Sequence, residues 1–269
     1  MKKLATALVS AAAIMTMSTT AFAAENPAEV FDRVMEKNNT IQSAEIQSGV
    51  HSVILAKDVI PDGQMKVDMA MHAEMDMQDT TDLKYLAQVA SSILGQDSYS
   101  QVFYTDGYYY VDTNGVKLKY PMPLEQIISS VQTGVNTSNM ESSYMKGISL
   151  NEVNGKRVLA YEANPKKLNK NVKEALGTVM NTLGTDINLD MNIQEMKGAY
   201  VLDDNDYIIY MTNYIVYNME VLGQPMTCIT LMETEVQNPG EPVVVTLPST
   251  DGYEDLIGLY DGVIESEVE

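Results

Sequence analysis

The chain has 269 residues, with 37 acidic side chains against 17 basic ones and a single cysteine. A net charge of -20 repels polyphosphate, which excludes nucleic acid as a partner. One thiol makes no internal disulfide, so stability must come from a packed core.

Lys2 and Lys3 precede an apolar run from Leu4 to Met17, and Ala21-Phe22-Ala23 gives the small-residue pattern of a cleavage site. Residues 1–23 are read as a secretory signal peptide. Its apolar run falls short of the ~20 residues that span a bilayer, and no later stretch is long enough either. The expected product is exported, soluble and not an integral membrane protein. Cys228 lies far from the cleavage site, so no N-terminal thiol is available for lipidation.

Asn26 before Pro27 reads as a helix cap with proline at the first helical position, and Val30, Phe31, Val34 and Met35 fall on one face of a helix to about Lys37. The period then changes to two. Ala44, Ile46, Ser48, Val50, Ser52, Ile54 and Ala56 share one side of a strand, and Pro61-Asp62-Gly63 turns the chain. In the next strand Met65, Val67, Met69, Met71, Ala73, Met75 and Met77 take every odd position, while Lys66, Asp68, His72, Glu74 and Asp76 take even ones. At ~3.3 Å per residue this amphipathic strand is about 40 Å long, and it points His72 away from the methionines.

The stripe Leu83, Leu86, Ala87, Ala90, Ile93 and Leu94, closed by Gly95, predicts a second helix from Asp82 to Leu94. Asp106-Gly107 and Asn114-Gly115, flanked by aromatic and β-branched residues, predict a three-stranded meander. Leu124, Ile127, Ile128 and Val131 suggest a short third helix, and the polar stretch 133–143 a loop. A hairpin turns at Asn154-Gly155. Pro165 opens the longest predicted helix, with the stripe Leu168, Val172, Leu176, Val179 and Leu183 and a stop at Gly184. Strands follow over residues 187–200, 207–221 and 226–236, joined at Asp203 to Asp206 and at Gly223-Gln224-Pro225.

This order predicts an α+β fold, a strongly curved antiparallel sheet forming an open half-barrel with helices covering its concave face. One domain is expected over residues 24–248, followed by a loose acidic tail over 249–269. The N-terminal helix leading into long strands, YTDGYYYVDTNGVKLKYP, VNGKRVLAYEANP entering a helix, and AYVLDDNDYIIYMTNYIV before NPGEPVVVTLP together resemble the LolA/LppX lipoprotein-carrier superfamily, and most closely its secreted Gram-positive relatives. The resemblance spans about residues 27 to 248 and lies in element order and turn placement. It implies a half-barrel whose concave face holds acyl chains or another apolar ligand. Unlike the lipid-anchored members, this sequence has no cysteine at the cleavage site.

Methionine has three flexible torsions and a polarizable sulfur, which suits an adaptable apolar lining. Met65, Val67, Met69, Met71, Met75 and Met77 are therefore the candidate ligand-binding residues, extended by Met191, Met211, Met219, Met226 and Met232. The alternative for the same row is ordinary core. Soft-metal binding by the thioethers is a further alternative, but alternate side chains along a strand stand ~6.6 Å apart, too far to converge without bending. Asp203 to Asp206 lacks the glycine and distal glutamate of a calcium loop and reads as a turn. Lys166, Lys167, Lys170 and Lys173 form the one basic cluster, either a docking face for an anionic envelope component or a solvated helix face.

No G-x-S-x-G, H-E-x-x-H or phosphate loop occurs, and His51 and His72 are the only imidazoles. The expectation is a secreted, non-catalytic binder of a hydrophobic small molecule or lipid, with no cofactor. A cell-envelope component is a possible partner. The competing readings are an envelope-scaffold module with a solid core and a weak copper binder.

Overall fold

The computed structural model describes residues 25–56, 60, 62–79, 82–124, 126, 140–170, 191–221 and 223–256. These residues are mostly strand. In chain order the elements are α1 (Pro27–Asn38), β1 (Ser43–Leu55), β2 (Gln64–Asp76), β3 (Lys84–Ile93), β4 (Gln96–Thr105), β5 (Tyr108–Thr113) and β6 (Val116–Pro121). A 3-10 turn (Ser142–Tyr144) leads to β7 (Met145–Val153), β8 (Lys156–Ala163), β9 (Asn192–Leu202), β10 (Ile208–Val221), β11 (Gln224–Gln237) and β12 (Glu254–Asp255). Among the described residues, hydrogen-bonded neighbours run β12-β6-β5-β4-β3-β2-β1-β11-β10-β9-β8-β7, an open sheet. The expected broad, open sheet is present. Helices are few among the described residues.

The chain divides into two compact units, one holding residues 1–38, 49–68 and 139–235, the other residues 39–48, 69–138 and 236–269. In the first, Asn26 caps α1 by accepting the amide of Ala28 on Oδ1 at 3.1 Å, a bond that satisfies one orphan donor of the first turn. The predicted stripe Val30, Phe31, Val34 and Met35 is buried against Leu159, Tyr161, Tyr200, Leu202 and Ile208 of the sheet. Phe31 meets the Tyr161 ring edge-on at 5.8 Å. Asn38 ends the helix and fixes it to the β9–β10 turn, donating from Nδ2 to the carbonyl of Asp206 at 3.0 Å and accepting the amide of Ile208 at 2.9 Å.

The second unit is built around stacked aromatics. Phe103 and Tyr110 are cross-strand partners on β4 and β5, with rings parallel at 4.6 Å. Tyr253 packs its ring edge-on against both, and Leu86 and Val245 complete the cluster. Here the loose-tail expectation fails at its start. Tyr253 buries in this core and carries Glu254–Asp255 alongside β6 as a short parallel strand, because an aromatic ring offers far more apolar area than the acidic residues around it lose. Residues 257–269 lie outside the described ones.

The predicted helix at Asp82 to Leu94 is also overturned, since residues 84–93 are β3. Its apolar run fits both periods, and the pairing partner decides. Leu94 and Gly95, at φ 52° and 77°, form a two-residue hairpin turn that sets Ile93 opposite Gln96 and Tyr85 opposite Tyr104. Gly95 is thus part of a turn and not a helix stop. The meander has four strands in consequence. Gln224 and Pro225, expected as turn, already pair with Val221 and Glu220 in the β10–β11 ladder. Leu124 and Gln126 are helical, as are residues 165–170. The remainder of both predicted helices, most of the loop at 133–143 and residues 187–190 lie outside the described residues.

Candidate functional site

The odd–even split of β2 places Met65, Val67, Met71, Ala73, Met75 and Met77 on the side that buries, with Lys66 and Asp68 exposed. Burial deepens along the strand. In the first unit Met65 and Val67 are half-buried. In the second Met69 is 40% exposed and Met71 half-buried, whereas Met75 and Met77 are sealed at 2% and 3%. Hydrogen bonds on the other side confirm the face. His51 Nδ1 lies 2.7 Å from Asp68 Oδ1, and His72 Nε2 lies 3.1 Å from Glu74 Oε1. Neither imidazole shares the methionine side.

Cross-strand partners share a face, so register extends the assignment over the first unit. Met211 stands opposite Thr234 and Tyr200, Asn213 opposite Met232, Ile215 opposite Met196, and Met219 opposite Met226. These residues therefore lie on the face against which α1 packs. Ser52 bonds Thr230 at 2.9 Å on that face, which places Val50 and Ile54 there and, with His51 and Asp68 opposite, Met65 and Val67 as well. Met65, Val67, Met211, Met226 and Met232 are thus brought onto one face of one unit. Met191 is half-buried just before β9 and belongs to no ladder. Met69, Met71, Met75 and Met77 belong to the other unit.

Pattern reading missed Met196, Ile215 and Tyr217, half-buried against the core of this face, and a polar group set within it. Tyr161 donates its hydroxyl to Asn213 Oδ1 directly over Gly198. The glycine is required there, since a Cβ would stand 2.5 Å from the carbonyl of Thr212 and 2.6 Å from Asn213 Oδ1. Burial pushes the Tyr161 phenol well up. It raises Tyr200 to about 12, the hydrogen bond with Tyr161 pulling slightly back. Burial also raises the Cys228 thiol, against a lowering hydrogen bond with Tyr217, and Cys228 Sγ lies 3.7 Å from Met219 Sδ. Around Gly198 this face thus presents phenols, an amide, a thiol and thioethers, while Arg157 and Glu152 register to the same face at its edge.

The family model that matches residues 26–249 describes a family of unknown function, DUF6612. The chain belongs to the DUF6612 family. No curated protein matches this DUF6612 chain. Among solved structures, LprF from Mycobacterium bovis is 10% identical with a TM-score of 0.37, covering 83% of this chain and 97% of its own. A beta-barrel-like DUF1849 protein from Brucella abortus is 10% identical with a TM-score of 0.25, covering 74% and 100%. A DUF1329 family protein from Desulfovibrio piger is 11% identical with a TM-score of 0.24, covering 82% and 96%.

Among the other candidate groups of the DUF6612 chain, the acidic turn is structurally committed. Asp203 Oδ1 accepts the amides of Asn205 and Tyr207, each at 2.8 Å, and Asp206 pairs with Arg33 at 2.9 Å and with Arg157. Lys167 donates to the Ser143 carbonyl at 2.8 Å, and Lys173 lies outside the described residues. A cleft of about 330 Å³ on the second unit is lined by Asp76, Asp79, Asp82, Lys84 and Val244 among others, and no methionine reaches it. No helix among the described residues is long and apolar enough to cross a membrane.

Proposed function

We propose that the protein is an exported, non-catalytic binder of a hydrophobic ligand, a lipid or a lipidated envelope component, held on the methionine-bearing face of the first unit. One observation carries this reading. Met65, Met196, Met211, Met219, Met226 and Met232 lie on the face that α1 packs against, yet they are half-buried where Leu159 and Leu202 of the same face are sealed. Flexible thioethers at such positions re-pack around chains of different shape, as an adaptable apolar site requires. The LolA/LppX-like order of elements agrees with this reading. The sealed Met75 and Met77 of the second unit support a solid core at that end of the row.

The test uses an environment-sensitive apolar dye and the folded, delipidated protein. Saturable uptake of about one dye per chain, displaced by a long-chain fatty acid and unaffected by salt, is expected because apolar burial is not screened. Mass spectrometry of an organic extract of the natively purified protein then identifies the occupant. Absence of saturable uptake assigns the chain to the envelope-scaffold class.

A further inference from the structure

The end of the β10–β11 hairpin gathers sulfur. Met219 stands directly opposite Met226, and Cys228 directly opposite Tyr217, at the next same-face positions along the ladder. All four therefore lie on the face against which α1 packs. Along one strand alternate side chains stand too far apart to converge, but across strands opposed Cβ atoms are ~5 Å apart, and a methionine turns through three torsions to reach a neighbour. Met191, one residue before the pair Asn192 and Asn218, brings a further thioether to the same end of the sheet.

The Cys228 thiol donates to Met219 Sδ at 3.7 Å, and the Tyr217 hydroxyl hydrogen-bonds the same cysteine sulfur. With metal–sulfur bonds of about 2.3 Å, three sulfurs around one ion stand about 4 Å apart, so this pair is already close to the required spacing. Burial raises the thiol, and an unliganded Cys228 keeps its proton. Exchange of that proton for a monovalent cation leaves a neutral pair, which an apolar wall accepts where a bare thiolate would be costly. Thiolate and thioether donors together select a soft ion, and the ladder partners of these residues include no carboxylate or imidazole. Cys228 is 2% exposed, yet Met219 and Met226 are half-buried and residues 223–225 beyond them are exposed, so an ion enters between the two methionines.

We infer that Cys228, Met219 and Met226 form a three-sulfur site for Cu(I). The ion takes the place of the thiol proton, which leaves to solvent, and the copper keeps its oxidation state. Tyr217 donates to the thiolate so formed and orients it toward the metal. The site needs no apolar occupant, so copper binding and dye uptake succeed or fail separately.

The test is an anaerobic competition for Cu(I) between the folded protein and bicinchoninate, which colours on binding the ion. One Cu(I) per chain is expected to resist the chelator, with excess zinc failing to displace it, and X-ray absorption should show sulfur alone around the metal at about 2.3 Å. Met219→Leu and Met226→Leu, which conserve side-chain volume and so the fold, should each weaken binding by about tenfold or more, and Cys228→Ser should weaken it further. Met69→Leu, at an exposed thioether of the second unit, should bind as the wild type does. A natively folded wild type that yields all its copper to the chelator overturns the proposal. So do Met219→Leu and Met226→Leu proteins that bind as tightly as Met69→Leu, which would leave Cys228 a lone thiol ligand. Nitrogen or oxygen atoms in the metal shell, or displacement by zinc, overturn it as well.

Discussion

Gly198 shows how a single missing side chain organises the face that α1 packs against. Its neighbours on both sides are fixed, Thr212 by the β9–β10 ladder and Tyr161 by the β8–β9 ladder, so an added methyl has nowhere to go. Gly198→Ala is expected to lower unfolding stability by about 2 kcal/mol in urea titration. Gly147→Ala should change it little, since no atom stands within 4 Å of the place its added methyl would take. Asp206 gives a pH signature. Burial alone pushes its carboxyl up, but hydrogen bonds and charge from Arg33 and Arg157 more than reverse this and hold it below the usual value. A group depressed in the folded state adds stability that is complete above its unfolded pKa of about 4 and is lost as pH falls through the folded pKa. Stability measured from pH 6 downward should therefore fall more steeply in the wild type than in Asp206→Asn, and equal slopes would reject the ion-pair account.

Among the elements, β3 depends on its turn. Leu94 is 70% exposed and holds a left-handed backbone conformation that asparagine tolerates far better. Leu94→Asn should stabilise the protein by about 1 kcal/mol in chemical denaturation. In a helix ending at Gly95 the same change would be neutral or harmful, so the sign of the result tests the strand directly. The α1 and β2 predictions held because each has a strict period over its whole length: four apolar residues on one helical stripe, and six alternate positions in one strand, with Met77 just past its end. The stretch 82–94 has no such discrimination, since Leu86 and Ala87 are adjacent and both buried, on opposite faces of the strand. Only pairing with β4 gives that pattern a meaning.

Across the molecule, the two ends of the methionine-bearing set should respond differently to charge. Met75→Lys places an ammonium in sealed core, and a loss of several kcal/mol is expected. Met232→Lys stands on a half-buried position of the first unit, where the long side chain reaches water, so the fold should survive while dye and fatty-acid uptake drop sharply. Circular dichroism and the dye titration on the same samples read both effects. If Met232→Lys unfolds the protein as Met75→Lys does, the face is ordinary core and the binding proposal fails.

Period and turn chemistry are local properties of a chain, and they were enough to establish α1, the alternation of β2, the Asp106-Gly107, Asn114-Gly115 and Asn154-Gly155 turns and the separation of His72 from the methionines. They also singled out Met65, Val67, Met211, Met226 and Met232. What they left open was which of these share a face, which are sealed, and which other residues stand beside them. Cross-strand register is a relation between segments apart in the chain, and it alone places Asn213 beside Met232, Tyr161 over Gly198, and Met219 beside Met226 and Cys228. Burial followed the same rule, since Tyr253 was indistinguishable from its acidic neighbours until Phe103 and Tyr110 were brought against it by the fold.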